Sequence, residues 1–312
     1  MGDPCERSRA GAAGLTSVVV VTADSGADVG DTLARVLCST APVEVLVVDN
    51  ASRDGSIGQL AARFAQNPSV RILRNAENLG FGTACNLGAA EARGDAVLLL
   101  NPDCLIEADT IARLRAVLDS DPHIGLLGVL QTGADGRVDP ASRRHDPLLK
   151  RAVSSASGLA RFAARWPGLA GVDMPANENG AAVEPVDAVS GALMLLPRVA
   201  FDRVGGFDQG YFLHCEDLDL CRRVRDAGWR VACANELRVV HVGGGSSRQR
   251  PVFVAWHKRR GMWRWFAKFD PAARNPLLRA LVFCAIWAAF AASVPLLLLR
   301  RRRARAAQQV EI

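Results

Sequence analysis

The sequence predicts an α/β domain wound around a parallel sheet. Three features point to it. Continuous β-branched runs at 17–22 (SVVVVT) and 43–48 (VEVLVV) read as strands covered on both faces. Segments with helical apolar spacing separate the runs. Polar residues then cluster just past the strand ends, at Thr22, Asp49-Asn50 and Asn101 to Asp103, where open α/β sheets bind their ligands.

The elements follow in order. Val29, Leu33, Val36 and Leu37 give a helix over 28–39. The second strand ends at Asp49-Asn50, and a turn over 52–55 leads into a helix over 56–66. A third strand spans 70–74. Asn78-Leu79-Gly80-Phe81-Gly82 opens a helix that runs to Arg93. A fourth strand, 95–100 (DAVLLL), ends at Asn101-Pro102-Asp103, followed by a helix over 107–120 and a strand over 124–130. From about 140 to 183 the pattern breaks down in a stretch rich in Ala, Gly, Pro and Arg, as lids and binding loops do. It returns as a strand over 184–196, a helix over 216–227, and a last strand over 236–241 ending at His241 before Gly243-Gly244-Gly245-Ser246-Ser247. No internal repeat is visible.

The composition is globular: 312 residues, 49% hydrophobic and 22% charged, which excludes wholesale disorder. The eight cysteines are scattered without a C-x-x-C pair, so a zinc ribbon or a thioredoxin motif is not expected. Such cysteines read as small core residues in a reducing cytosol. The net charge of +6 hides an asymmetry. Residues 1–241 carry 24 Lys and Arg against 30 Asp and Glu, whereas residues 242–312 carry 14 against 2. The acidic body thus bears a strongly basic tail suited to phosphate, in nucleic acid or anionic lipid.

Lipid is the better partner. Ala280 to Leu299 is an uncharged run of 20 residues, long enough as a helix to cross ~30 Å of hydrocarbon. Arg300 to Arg303 follow it, and Trp256, Trp263, Trp265 and Phe266 precede it among Lys258, Arg259, Arg260, Arg264 and Lys268. Basic and aromatic residues together mark a headgroup-level anchor, and nucleic-acid binding would not need the apolar run. Because both flanks are basic, an in-plane or re-entrant helix bent near Pro295 is expected over a full span. Residues 1–16 lack an apolar signal core and read as a flexible leader. The expected division is therefore a leader over 1–16, the main domain over 17–250 and a membrane-associating tail over 251–312, with the body in the cytosol.

Four constellations can carry chemistry. Asp49 with Asn50 can accept hydrogen bonds from a ribose or base, or simply form a turn and cap. In Asn101-Pro102-Asp103 the carboxylate suits a divalent ion bridging a diphosphate, although a turn with a helix cap reads the same way. In His214-Cys215-Glu216-Asp217-Leu218-Asp219, three carboxylates within four positions repel unless a cation or proton offsets them. One of them can serve as general base, and a helix start explains one or two of the acids but explains three less well. His241 can complete a metal site with Asp103 or be a structural histidine, and the 243–247 loop can offer backbone N–H groups to phosphate. No G-x-G-x-x-G, P-loop or G-x-S-x-G string is present, which disfavours nicotinamide enzymes, P-loop NTPases and α/β-hydrolases.

Taken together, SVVVVTADSG, VEVLVVDNASRDGS, NAENLGFGTACNLG, LLLNPDC, VSGALMLLPRVAFDRVGGFDQGYFLHCEDLDLCRR and WHKRRGMWRWF, in this order over about residues 17–270, resemble a bacterial family 2 glycosyltransferase. The similarity is to its rhamnosyltransferase-like branch. The resemblance implies a GT-A nucleotide-diphospho-sugar transferase fold, a Rossmann-like, mainly parallel sheet. It implies inverting transfer from a nucleotide sugar, dTDP-L-rhamnose above all, to a polyprenyl-diphosphate-linked glycan at the cytoplasmic face of the inner membrane. Donor contacts are implied at Thr22, Asp24, Asp49, Asn50, Asn78, Gly80, Asn101, Asp103 and Gly191. Mg²⁺ or Mn²⁺ is implied at Asp103 and His241, and the base at Asp217 or Glu216. Acceptor contacts fall to Trp256, His257, Lys258 and Arg259. The chain departs from the family at Thr22-Ala23-Asp24, where an aromatic is usual, and at N-x-D in place of D-x-D, which leaves a metal fewer anionic ligands. The alternatives are a transferase of the same fold using a UDP-sugar (galactofuranose, glucose or N-acetylhexosamine) and a non-catalytic nucleotide-sugar-binding membrane protein.

Overall fold

The computed structural model describes residues 11–26, 28–175, 180–241 and 250–310, with side chains as far as residue 299. The expected 243–247 loop and the first ten residues lie outside the described residues. The strands are β1 (Ala12–Thr22), β2 (Val43–Asp49), β3 (Val70–Arg74), β4 (Gly94–Leu100), β5 (Cys104–Leu105), β6 (Ile124–Thr132), β7 (Arg143–Arg144), β8 (Val183–Pro185), β9 (Ala188–Val189), β10 (Leu193–Pro197) and β11 (Arg230–His241). The helices are α1 (Asp28–Leu37), α2 (Ser56–Arg63), α3 (Phe81–Glu91), α4 (Thr110–Ser120), α5 (Leu149–Ser157), α6 (Arg198–Arg203), α7 (Glu216–Asp226), α8 (Pro251–Phe269) and α9 (Pro276–Val310).

Two compact units emerge. The first comprises Met1–Asp146, Asp173–Asp208 and Asp217–Gly243, and the second Pro147–Val172, Gln209–Glu216 and Gly244–Ile312. The second unit is thus more than the appended tail expected from residue 251 onward. It also draws on two internal segments, one of them the stretch where the periodicity broke down.

The first unit is built on a sheet of order β3-β2-β1-β4-β10-β6-β11-β5, with β8 alongside β11. The apolar runs explain its centre: Val18 to Val20, Val45 to Val48 and Ala96 to Leu100 are fully buried. They run parallel in β2-β1-β4, with Thr22 opposite Asp49 at the shared carboxyl edge. Helices close the faces. From α1, Val29, Leu33 and Val36 enter the core, and from α4, Ile111, Leu114 and Leu118, both sets at helical spacing.

Several boundaries differ from the sequence reading. The β1 strand starts at Ala12, inside the segment expected as leader. The α3 helix starts at Phe81, because Asn78 and Gly80 form the turn before it. The strand expected over 184–196 is three pieces, interrupted at 186–187, just after Pro185, and at 190–192, around Gly191. Its last piece, β10, lies antiparallel to both β4 and β6, so the sheet is mixed. The last strand is twice the expected length, with a register shift between Ala234 and Arg238 that hid its start.

The Gly205-Gly206-Phe207 turn is pinned to α3. The Asn86 side chain donates to the Phe207 carbonyl at 2.8 Å and accepts from the Phe207 N–H at 2.8 Å. Gly206 has φ 64°, in the left-handed region that favours glycine. Phe207 is buried edge-on to Phe81, ring centroids 5.9 Å apart.

In the second unit, α8 and α9 pack through aromatic rings. Trp256 meets Trp287 at 4.5 Å and Trp263 meets Phe283 at 5.1 Å between centroids. Asn275 caps α9, accepting from the Leu277 N–H at 2.9 Å, with Pro276 placed where its missing N–H costs nothing. The bend expected near Pro295 does not break the helix, which runs through it to Val310. A proline removes one backbone donor, and the long flanking turns carry the helix past the gap. Pro276–Leu299 is long and apolar enough to cross a membrane, with a mean hydropathy of 2.3 and none of its most apolar window buried within the chain. Leu277 is 80% exposed and Leu281 65%.

A methyl group at Gly82 would lie 2.9 Å from Phe207 Cβ, and Phe207 cannot retreat because Asn86 holds its backbone on both sides. Overpacking of this kind costs about 1–3 kcal/mol and outweighs the helix-propensity gain of about 1 kcal/mol. Gly82→Ala therefore lowers the stability measured by urea unfolding.

Candidate active site

The site is assembled at the carboxyl edge of the parallel strands. On the β1-β2 side, the Asn50 N–H donates to the Thr22 carbonyl at 2.8 Å, which draws the chain past β2 across the end of β1. Asp49 and Asn50 are buried. Asp49 Oδ1 accepts from the Ser52 N–H at 3.0 Å, so the turn reading of this aspartate holds alongside any ligand role. The Asn50 amide is locked between the Gly80 carbonyl at 3.1 Å and the Asn75 side chain at 2.7 Å. Asn78 Oδ1 accepts from the Gly80 N–H at 3.0 Å, and Asp24 Oδ1 from the Arg53 N–H at 2.6 Å. Asp24 and Ala51 have φ of 54° and 60°, left-handed conformations of non-glycine residues that concentrate at functional sites. Thr22 Oγ1, on the last residue of β1, is buried with no hydrogen-bond partner among the described residues.

At β4 and β11, the 101–103 turn meets His241. Antiparallel pairing sets His241 opposite Cys104, one residue beyond Asp103. Asp103 Oδ1 then lies 3.2 Å from His241 Nε2, and the Asn101 amide 3.3 Å from the same nitrogen. Burial alone would lower the His241 pKa. The hydrogen bond and charge of Asp103, with a further pull from Asp139, raise it above the usual histidine range. Among the described residues, no group of three His, Cys, Asp or Glu side chains could close around an ion. Magnesium and manganese are commonly held by one or two protein ligands and completed by substrate phosphate and water. One carboxylate and one imidazole at a strand end fit an ion shared with a diphosphate and do not make a closed cage.

The third part is α7. The chain enters it through His214 and Cys215, both left-handed, with φ of 67° and 71°. This turn needs Gly261 of α8, since a Cβ there would lie 2.5 Å from the His214 carbonyl oxygen. Glu216 is buried and falls in the second unit. The repulsion expected among the three carboxylates is offset at two of them by this chain's own cations. Asp219 is fully buried and accepts from Arg223 at 2.5 Å. Asp217 pairs with Arg144 of β7.

Asp217 is also held by backbone. Its Oδ2 accepts from the Gly191 N–H at 3.2 Å and its Oδ1 from the Leu218 N–H at 2.8 Å. Burial alone would raise its pKa, but the charge and hydrogen bond of Arg144, with the two N–H groups, hold the carboxyl below the usual carboxylate range. The loop that carries Gly191 reaches the other side as well: the Asn101 N–H donates to the Ala192 carbonyl at 2.9 Å. One short loop therefore ties the 101–103 turn to Asp217.

Thr22, Asp24, Asp49, Asn50, Asn78 and Gly80 thus gather at one end of the rim. Asn101, Asp103 and His241 gather at its centre, joined to Asp217 by Gly191 and Ala192. Trp256, His257, Lys258 and Arg259 stand on α8 in the second unit, where His257 stacks on Phe212 at 4.4 Å. The sequence reading missed Arg144, Asn75 and Ser52. The only signal for Arg144 was a run of charge, Arg143 to Asp146, inside an Ala- and Gly-rich stretch.

Residues 17–172 match the model of glycosyl transferase family 2. The chain is 32% identical over 289 residues to the N-acetylglucosaminyl-diphospho-decaprenol L-rhamnosyltransferase of Mycobacterium tuberculosis, covering 84% of this chain and 92% of that relative. It is 27% identical over 207 residues to the rhamnosyltransferase WbbL of Escherichia coli, covering 64% and 72%. Among solved structures it is similar to the mannosyltransferase PcManGT of Pyrobaculum calidifontis in complex with GDP-Man and Mn²⁺, with a TM-score of 0.56 at 20% identity, covering 94% of this chain and 75% of that one. The mixed sheet, the rim of carboxylates and these relatives converge: the chain belongs to glycosyl transferase family 2, a glycosyltransferase of GT-A fold in the rhamnosyltransferase-like branch.

Proposed function

We propose that this enzyme transfers L-rhamnose from dTDP-L-rhamnose, with inversion, to a hydroxyl of a polyprenyl-diphosphate-linked glycan at the cytoplasmic face of the membrane. The observation that carries the reading is the bridge through Gly191 and Ala192, which puts the Asn101-Asp103-His241 group and Asp217 on the same rim. A transfer of this kind needs a cation-compatible place for the leaving diphosphate beside a base for the attacking hydroxyl, and the bridge supports both. The names of the Mycobacterium and Escherichia relatives support the sugar and the lipid-linked acceptor.

In this reading Thr22, Asp24, Asp49 and Asn50 bind the nucleoside, with Asn78 and Gly80 forming the wall behind it. Asn101 and Gly191 flank the diphosphate. Asp103 and His241 would hold Mg²⁺ or Mn²⁺, which when bound supplies positive charge against the leaving diphosphate. Asp217 takes the proton of the acceptor hydroxyl as its oxygen attacks the anomeric carbon from the face opposite the leaving group. One base and no covalent intermediate suffice for inversion. Glu216 is the reserve candidate for the base. Trp256, His257, Lys258 and Arg259 meet the acceptor's diphosphate and headgroup region, and the exposed apolar α9 supports membrane attachment.

Asp217→Asn reduces transfer by a factor on the order of 10³ or more while thermal-shift measurements show donor binding intact. A fully active variant would exclude Asp217 as base. The donor is settled by thermal shift and transfer with dTDP-L-rhamnose, UDP-galactofuranose, UDP-glucose and UDP-N-acetylglucosamine, each with and without Mn²⁺. Preference for a UDP-sugar would overturn the rhamnosyl reading, and binding without transfer or hydrolysis of any donor would favour a non-catalytic protein. Deletion of 277–312 lowers transfer to a lipid-linked acceptor more than to a short-chain soluble analogue. Equal losses on both would make the tail a structural element only.

A further inference from the structure

The carboxylate of Asp217 is held from three directions, and the strongest hold comes from a residue without a place in the reaction so far. Oδ2 receives Arg144 Nη2 and the Gly191 N–H, whereas among the described residues Oδ1 receives only the Leu218 N–H. A carboxylate oxygen can accept two hydrogen bonds, so Oδ2 is saturated and Oδ1 keeps one direction open. We infer that Arg144 is a positioning residue that locks the Asp217 side chain in the orientation of the base and leaves Oδ1 as the atom that takes the acceptor's proton. The inference rests on the reading of Asp217 as base. In the step it serves, the acceptor oxygen bonds to the anomeric carbon, the bond from that carbon to the diphosphate oxygen breaks, the electron pair leaves with the nucleoside diphosphate, and the hydroxyl proton passes to Oδ1.

Arg144 is itself built to stay in place. Its strand pairs with β9, Arg144 opposite Ala188, and its backbone bridges to Asp173 on the other side. The next two residues clasp the same helix that carries Asp217. His145 lies 3.3 Å from Asp187, and Asp187 lies 3.7 Å from Arg225 of α7. Asp146 is buried and accepts from Arg222 at 3.1 Å and Arg225 at 2.5 Å. The two residues after Arg144 are thus fastened to α7 by ion pairs beside the Arg144–Asp217 contact. A guanidinium delivered by so constrained a strand acts as a fixed fork and does not roam as a surface cation would.

Among the described residues, the groups that hold Asp217 charged are Arg144 from β7 and the N–H groups of Leu218 and Gly191. Glu216 is its chain neighbour, and Cys221, one turn along α7, lies within reach of the charges of Asp217, Arg144 and Arg225. The Cys221 thiol is pushed up to about 12 by burial and stays neutral. Without Arg144, Asp217 keeps its burial and loses its cation, so its pKa rises. The base must be ionised, so the acid limb of the rate profile moves to higher pH.

The test uses the full chain with Arg144→Gln, Arg144→Lys and Asp217→Asn, assayed with whichever nucleotide-sugar of the four above the unaltered enzyme turns over. Arg144→Gln lowers kcat by roughly 30-fold or more, leaves the donor KM within about threefold, and moves the acid limb up by about one pH unit or more. Arg144→Lys keeps the acid limb near its original place and recovers part of the rate. If Arg144→Gln does not fold, as thermal melting will show, Arg144→Lys alone decides: reduced kcat with unchanged donor KM and limb supports the inference, and unchanged kcat overturns it. An Arg144→Gln enzyme as fast as or faster than the original, an unmoved acid limb, or a raised donor KM at constant kcat also overturns it. Loss of activity in Asp217→Asn with normal Arg144 variants removes only this inference, whereas an active Asp217→Asn removes the reading beneath it.

Discussion

Negative charge gathered at the end of a sheet must be compensated, and the rest of this site follows from how that is done. A buried carboxylate without partners would take up a proton or push the structure apart. Here four of them have a fixed partner from the same chain: Asp49 the Ser52 N–H, Asp103 the His241 ring, Asp219 the Arg223 guanidinium, and Asp217 both Arg144 and two backbone N–H groups. The partners also set the acids apart from one another. Asp219 is fully buried within its own helix and is structural, whereas Asp217 sits where a short loop links it to the 101–103 turn.

The same compensation explains why strain collects where it does. Left-handed φ at Asp24, Ala51, His214 and Cys215 falls in the turns that deliver the first and last parts of the rim. Such conformations cost about 1–3 kcal/mol each and persist only where the surroundings over-determine them. Those surroundings are visible. Asp24 is tied to Ser52 and Arg53, and the His214 carbonyl is pressed against Gly261, where no side chain fits.

The second unit follows a different physics. Its internal packing runs through aromatic rings between α8 and α9, with cations on top, as where Arg279 lies 5.7 Å from the centre of the Trp263 ring. Past that seam α9 continues with large apolar side chains facing outward, a surface that water does not stabilise and that lipid would. The charge count shows the same division: residues 1–241 are acidic on balance, and residues 242–312 are strongly basic.

What the sequence determined by itself were the features set by neighbours along the chain. Unbroken apolar runs fixed β1, β2 and β4, helical spacing fixed α1 and α4, and strand-end position marked Asp49, Asn101 and Asp103. These are legible because burial on both faces and periodicity leave a local imprint. Tertiary structure decided the rest. Whether β10 ran with or against β4 depended on the route of the connection before it. The approach of His241 to Asp103 depended on a register between residues 138 positions apart. Arg144 lay in a stretch with no readable period, and its partner is 73 positions away, so no local pattern could announce the pair. Long-range pairing is settled by the packing of the whole sheet, and that free energy is not written into any single window of the chain.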